Sequence, residues 1–384
     1  MKIFFDARLI HYAGLGRYER ELIAALLKLN PDITFYITGE KNKITSYIAD
    51  FGLNSENFRI IDLKIKKYTF KEQFMFIKII RKMEKRVDIF LFPHFNIPFL
   101  YIPKKSAVIV HDLTFFHFPQ YFGRIKAILA KFVLKNVLKK TKKIITVSNF
   151  VKNDILNMFG SKSNKHSKLY KKRLQDKVTV IYSGYSAKFK PAPVSKIEEF
   201  KIKNNLNQFL LYCGNRKKHK NLINLLKAFQ EVKKTSKDLK FVLIGKRFEK
   251  PDKPDFIDDF INKNGIKDVI SLEYASDSDL NLYYSASSAF VFISLSEGFG
   301  LAPLEALASG AKLILADNSV LPEIFKNTAI YVNPYDIKDI AAAIGKTLII
   351  NDEKYKNTRE EILNSYPRDL WAKNILRVLS ETIK

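Results

Sequence analysis

The stretch SLSEGFGLAPLEALASG at residues 294–310 admits few local folds. It follows AFVFI at 289–293, a short apolar run that reads as a buried strand. Pro303 suits the first turn of a helix, where a missing N–H costs nothing. Gly310 stands where helices commonly end in a left-handed residue. The expected order is strand, glycine loop, short helix. Gly298 and Gly300 let backbone come close to a ligand. The N–H groups at the helix start, with the helix dipole, favour an anion such as a diphosphate. Glu297 and Glu305 bracket the loop, and a carboxylate is a poor phosphate ligand but a good acceptor for sugar hydroxyls. An anion site between two hydroxyl acceptors suits a sugar nucleotide. An ordinary strand-to-helix turn with two solvated glutamates fits the same spacing.

Seven residues, GFGLAPL, separate the two glutamates. The pattern resembles the E-x7-E signature of retaining glycosyltransferases, and EGFGLAPLEALASG resembles glycosyltransferase family 4. The resemblance implies an α/β chain of GT-B fold: two Rossmann-like domains with a donor cleft between them. It also implies that Glu305 holds the ribose diol and Glu297 the hexose hydroxyls. Phe299, Gly300 and Leu301 would then turn their amides to the diphosphate.

The chain has 384 residues, and domains of about 150 residues favour two or three of them. A single cysteine, Cys213, excludes an internal disulfide and a cysteine-based metal cluster, and it suits a reducing cytoplasm. Asp6 interrupts the N-terminal apolar run, so a secretory signal is not expected. No apolar run approaches the roughly 20 residues that span a bilayer, so the expectation is a cytoplasmic protein, soluble or peripheral on the inner face of the plasma membrane. The net charge of +27 suits an anionic partner, nucleic acid or acidic membrane, or else a lysine-rich proteome.

The first domain is expected over residues 1–187. KIFF at 2–5 reads as its first strand, residues 6–17 as a glycine loop, and Leu22, Ile23, Leu26 and Leu29 as the apolar face of a helix. Strand, glycine loop and helix open a Rossmann-like domain. Gly14, Gly16 and Arg17 match the position where family 4 enzymes lay a glycine loop against donor phosphate and acceptor; Arg17 is equally a surface cation. Residues 64–86 hold nine Lys/Arg against two Glu and read as an amphipathic helix with a basic outer face. PHFN at 93–96 is a strand-end loop, where α/β sheets place ligands. His111 and Asp112 end the next buried strand and resemble the family's HD loop. That resemblance implies that His111 borders the reacting sugar and Asp112 orients it. His94 and His117 are secondary candidates. Residues 124–143 carry eight Lys/Arg and no acid beside Ile125, Ile128, Leu129 and Phe132. Such a helix suits an anionic membrane surface, or a core-packed helix with a solvated basic face. Residues 161–177 read as an exposed, mobile insertion.

The second domain is expected over 188–365, with a helix at 366–384 returning to the first. FLLYCGN at 209–215 is a strand ending in Gly-Asn, followed by RKKHKN. Clustered cations at a strand end facing a helix start suit a diphosphate clamp, and a solvated charge run equally. The segment resembles the family's G-N-x-x-x-H/R-K-N element, with Lys220 at the phosphate lysine. Arg216 is the choice for its companion arginine, with Lys217 or Lys218 as substitutes. Residues 246–263 read as a charged connection and helix, and 317–323 as a loop near the donor; residues 273–280 resemble the family's segment before a short helix, which implies that Tyr274 lies near the base. Trp371 reads as a packing anchor.

The expected function is transfer of a hexose, mannose first, from a nucleoside diphosphate sugar to a saccharide or lipid-linked acceptor hydroxyl. HDLTFFHFP with GNxxxHKN resembles bacterial mannosyl- and rhamnosyltransferases of surface polysaccharide assembly. The glycine loops at 6–17 and 294–300 hold no Asp-x-Asp cluster, so no metal and no other cofactor is expected. Two alternatives stand beside it. A basic nucleic-acid-binding protein would explain the charge, but no RNA-binding or helix-turn-helix signature is present, so no specific nucleic acid is expected. A sugar-nucleotide epimerase of related fold would convert donor without acceptor.

Overall fold

The computed structural model describes residues 1–65, 69–160, 165–247, 255–349 and 356–384. Residues 66–68 of the expected basic helix, 161–164 of the insertion and 248–254 of the charged connection lie outside the described residues. Two compact units emerge: Met1–Gly184 with Arg368–Lys384, and Tyr185–Pro367.

The first unit is built on seven strands: β1 Lys2–Asp6, β2 Thr34–Gly39, β3 Phe58–Asp62, β4 Ile89–Phe92, β5 Ser106–Val110, β6 Lys143–Thr146 and β7 Val178–Val180. Their order is β3-β2-β1-β4-β5-β6-β7, and every pairing is parallel. Parallel strands need crossovers, and helices on both faces bury them, so the inner strands read as unbroken apolar runs. Ile3, Phe4 and Phe5 of β1 and all of β4 and β5 are buried accordingly.

The loop after β1 ends sooner than expected, because the first helix spans Gly14–Leu29 and takes both glycines into its first turn. Leu22, Ile23 and Leu26 pack inward, whereas Leu29 is exposed. The helix Phe70–Met83 starts with a capping box between Thr69 and Glu72. It buries Phe76, Ile80 and Met83. Residues 165–177 form a helix rather than a loose insertion. Leu174 is its buried anchor, and Lys171 lies against Gly160 of the preceding helix. Leu174 in so polar a segment is too sparse a signal for helical periodicity to reveal. The last helix, Arg368–Ile383, belongs to this unit. Trp371, Ala372, Ile375, Val378 and Leu379 form its buried stripe.

The second unit repeats the plan with six parallel strands: β8 Phe209–Cys213, β9 Lys240–Ile244, β10 Val269–Leu272, β11 Ala289–Phe292, β12 Leu313–Ala316 and β13 Ala329–Val332. Their order is β10-β9-β8-β11-β12-β13. The 294–310 stretch forms the loop after β11 and the helix Leu301–Ala308. Gly300 precedes that helix at φ +99°, a left-handed conformation that costs side-chain-bearing residues steric strain. The N–H groups of Gly310 and Ala311 donate to the carbonyls of Leu307 and Ala306, closing the helix as a Schellman motif.

Backbone crowding separates the two N-terminal glycines. A Cβ at Gly16 would lie 2.5 Å from the Ile10 carbonyl oxygen and 2.6 Å from that of Leu9, whereas one at Gly14 would meet nothing within 4 Å. Gly16→Ala should therefore lower stability in urea unfolding by about 1–3 kcal/mol, the usual range for overpacking. Gly14→Ala should be neutral or stabilising by up to about 1 kcal/mol, since alanine is the better helix former.

Candidate active site

In the second unit the strand order reverses between β8 and β11, and the loops leaving their carboxyl ends diverge around an open edge. The loop after β8 passes through Gly214 and Asn215 into a single turn, Lys218–Lys220. Asn221 follows in a left-handed conformation, φ 62°, and begins the helix Leu222–Lys233. Its side-chain amide donates to the Pro334 carbonyl at 2.6 Å and to that of Ile293 at 3.4 Å. The Leu295 N–H donates to the His219 carbonyl at 2.8 Å. These bonds fasten the turn bearing Lys220 to the loop bearing Glu297.

The Lys220 ammonium pairs with the Glu297 carboxylate and lies 5.2 Å from the Phe292 ring centroid. Beyond Glu297, Phe299 is buried and meets Tyr366 edge-on at 5.6 Å. Gly300 and Leu301 open the helix, and Glu305, 4% exposed, sits in its second turn. Lys220 and Glu297 thus meet directly, and Phe299, Gly300, Leu301 and Glu305 continue the same loop and helix. Tyr274 stands on the connection from β10 to the helix Asp277–Ala286 and is 81% exposed.

Arg216 does not join them. It is 0% exposed, and its guanidinium is consumed inside the unit. Nε donates to the Gly245 carbonyl at 3.0 Å, Nη1 to Asp258 at 2.9 Å and Nη2 to Ser271 at 2.7 Å. Asp255 adds a second carboxylate at 3.6 Å. A cation so placed, fully buried and paired with two carboxylates, braces the ends of β9 and β10 rather than facing a phosphate. Of the two substitutes for that arginine, Lys218 is exposed and Lys217 half-buried.

The first unit reverses its strand order between β1 and β4. A small pocket there is lined by Asp6, Arg8, Leu9, Glu19, His94 and Asn96. Arg8 is buried and bidentate on Asp6, at 2.8 and 2.7 Å; it also donates to the Asn96 carbonyl at 2.8 Å and pairs with Glu72. Its guanidinium lies 4.2 Å from the Phe76 ring centroid. The sequence points to the 93–96 loop and His94, but not to Asp6, Arg8, Glu19 or Glu72. The cluster's visible signals were the acid closing β1, the Arg two residues on, and the T-x-x-E cap at 69–72. His94 accepts the Asn96 N–H on Nδ1 at 2.9 Å and stacks on Phe95.

His111 leaves the end of β5 with Nε2 2.8 Å from the Pro93 carbonyl oxygen. A carbonyl only accepts, so Nε2 carries the hydrogen and Nδ1 is the acceptor. Burial pushes the imidazole pKa down to about 4, against the opposing pull of the Pro93 bond and of Asp112, so the ring is neutral at ordinary pH. Tyr18 meets it edge-on at 4.5 Å, and Trp371 in turn packs on Tyr18 at 4.8 Å. The ring is therefore held by Pro93 and Tyr18, while Asp112 accepts the Thr114 N–H at 2.9 Å. His117 lies apart and pairs with Asp154 at 2.6 Å, a bond that raises its pKa. Gly14 and Gly16 begin the helix that carries Tyr18 and Glu19, with Arg17 between them and those residues.

Chemically, the second unit offers a cation, a helix start and two carboxylates, a set able to hold a phosphorylated polyol. The first offers a neutral imidazole and a carboxylate-lined pocket.

Comparison with known proteins agrees with this division. The family described as "Glycosyltransferase Family 4" matches residues 12–189, and "Glycosyl transferases group 1" matches 195–364. The O-antigen chain mannosyltransferase RfbU of Salmonella typhimurium is 30% identical over 252 residues, covering 65% of this chain and 62% of that protein. O-antigen chain mannosyltransferase B of Escherichia coli is 25% identical over 365 residues, 91% of each chain. Among solved structures, Anabaena Alr3699/HepE in complex with UDP and glucose superposes with a TM-score of 0.76 at 14% identity, covering 99% of both chains. The chain belongs to the glycosyltransferases, an enzyme of GT-B fold with a family 4 portion followed by a group 1 portion.

Proposed function

We propose that this glycosyltransferase moves a hexose, mannose first, from a nucleoside diphosphate sugar to a hydroxyl of a saccharide or lipid-linked acceptor. GDP-mannose is the preferred donor, the anomeric configuration is retained, and no metal is required. The observation that carries the reading is the Lys220–Glu297 pair beside the start of the helix Leu301–Ala308. A cation and helix amides suit a leaving diphosphate, whose oxygens gain charge as the glycosidic bond breaks. Glu297 and Glu305 suit the hydroxyls of hexose and ribose. The leaving phosphate oxygen itself takes the acceptor proton, which fits retention without a separate base. His111, neutral with Nδ1 as acceptor, suits a sugar hydroxyl better than a phosphate. Both relatives described above are mannosyltransferases by name, which favours mannose and favours transfer over epimerisation.

An acceptor carried by lipid suits one further surface. On the helix Arg124–Lys140, Ile125 is 76% and Phe132 56% exposed, with Ile128 and Leu129 between them. The core-packed alternative accounts for Leu134, Val137 and Leu138 at the far end but not for these four. Lys126, Lys131 and Lys135 share the helix. No described helix is long and apolar enough to cross a membrane. Apolar side chains among lysines fit the interface of an anionic bilayer, where each fully buried large side chain contributes about 1.5–3 kcal/mol.

Three experiments test the reading. Titration with GDP, UDP, ADP and dTDP in the presence of chelator should raise the thermal midpoint for one base, with about 2.7 kcal/mol of linkage at a hundredfold excess over Kd. No shift with any of them would remove the donor site. Lys220→Ala should abolish nucleotide binding and transfer and keep the fold. Arg216→Ala should instead lower the unfolding midpoint, by about 3–5 kcal/mol in stability, because it takes the neighbouring cation from the buried Asp255 and one of two arginine partners from Asp258. A folded Arg216→Ala enzyme that has lost only nucleotide affinity would return Arg216 to the clamp. In vesicle co-sedimentation the protein should bind anionic but not zwitterionic bilayers, and Ile128→Glu with Phe132→Glu should abolish that binding. Equal binding to both lipids, or none, would remove the membrane surface from the proposal.

A further inference from the structure

We infer that Glu297 is the counter-ion of Lys220 in the empty site, that donor phosphate displaces it, and that this exchange makes the enzyme hold intact donor in preference to its diphosphate product. The inference rests on the donor-site reading and adds a regulatory role for the pair.

The geometry leads there in three steps. Lys220 and Glu297 are held together with side chains only 10% and 14% exposed, over the face of Phe292. In such surroundings a charge without its partner is costly, so neither group is readily left alone. A diphosphate that claims the ammonium competes with the carboxylate for it, and it places further negative charge beside that carboxylate. Neither Arg216 nor the Tyr212 phenol softens that repulsion. Arg216 is taken by Asp258, and the Tyr212 phenol, pushed well above its ordinary pKa by burial and then by Glu297, stays neutral with its hydrogen on the Asn215 carbonyl.

What receives the displaced carboxylate distinguishes the two ligands. An intact sugar nucleotide brings hexose hydroxyls, which donate to Glu297 once Lys220 has turned to the phosphates. A free nucleoside diphosphate brings the charge and no hydroxyl on that side. The same carboxylate thus supports donor and penalises product. The loop and the turn need not move for the exchange, because the Leu295 to His219 bond and the Asn221 bonds hold both backbones in place.

Glu297→Gln keeps the shape and removes the charge, so it isolates the effect. Calorimetric titration of wild type and variant with the nucleoside diphosphate, the parent nucleoside and the intact donor reads it out. Glu297→Gln should bind the nucleoside diphosphate about tenfold more tightly, equivalent to about 1.4 kcal/mol. It should leave nucleoside affinity unchanged and bind donor no more tightly than wild type. Glu297→Ala should show the same sign, which guards against a glutamine-specific contact or a poorly folded variant. Unchanged or weaker diphosphate binding in both variants, with wild type binding normally, would overturn the exchange and leave the donor site standing. Failure of wild type to bind any nucleoside diphosphate would overturn the donor-site reading and the exchange together.

Discussion

Reversal of strand order at the middle of each parallel sheet determines where this enzyme keeps its polar chemistry. Chain progress runs outward from β1 through β2 to β3, then resumes on the other side of β1 at β4; β8 and β11 repeat the step in the second unit. At such a point neighbouring loops turn away from each other and leave their backbone and side chains accessible between them. Asp6 closes β1, and Arg8, His94 and Asn96 come from the loops after β1 and β4. Lys220 and Glu297 come from those beside β8 and β11. The inner strands β4, β5, β11 and β12 are buried throughout, so polar groups converge at strand ends rather than along them.

Each crevice is braced by an arginine that the solvent hardly reaches. Arg8 follows β1 by two residues and engages Asp6, Glu72 and the Asn96 carbonyl; Arg216 follows β8 by three and engages Asp255, Asp258 and the Gly245 carbonyl. In both units the planar fork links the first strand's loop to neighbouring loops and helices. Buried charges persist only when so thoroughly paired. These arginines hold the frame that carries the neighbouring loops.

The frame was legible wherever local sequence carries the physics. Apolar runs gave the central strands, and Gly300, Pro303 and Gly310 gave the 301–308 helix with its start and stop. The Lys220–Glu297 proximity was also within reach, because both ends of it were marked by motifs at strand ends. Three features were not. The fate of Arg216 depends on acids 39 and 42 residues away in sequence, at Asp255 and Asp258, which no local pattern announces. The packing of Trp371 on Tyr18, and of Tyr18 on His111, joins the last helix to the first across the whole length of the chain. The helix at 165–177 has Leu174 as its buried anchor, so its polar composition read as a loop.

The difference between Arg216 and Lys220 is one of side-chain chemistry more than position. They lie four residues apart in one cationic run, and a run of that kind reads as a single clamp. A guanidinium offers five donors in a fixed plane, and a protein that surrounds it can satisfy most of them at once; it then has no reason to let go. An ammonium is a compact charge on a flexible stem, with donors that rotate to whichever anion is present. Arg216 is accordingly fixed between carbonyl, hydroxyl and carboxylate, whereas Lys220 meets one carboxylate and the face of a ring. A site that must accept a diphosphate and later release it needs the second kind of cation. On the proposed donor-site reading, the exchangeable lysine lies against the same glutamate that would take the sugar, so the phosphate would be gripped most easily with the sugar there to occupy the carboxylate it displaces.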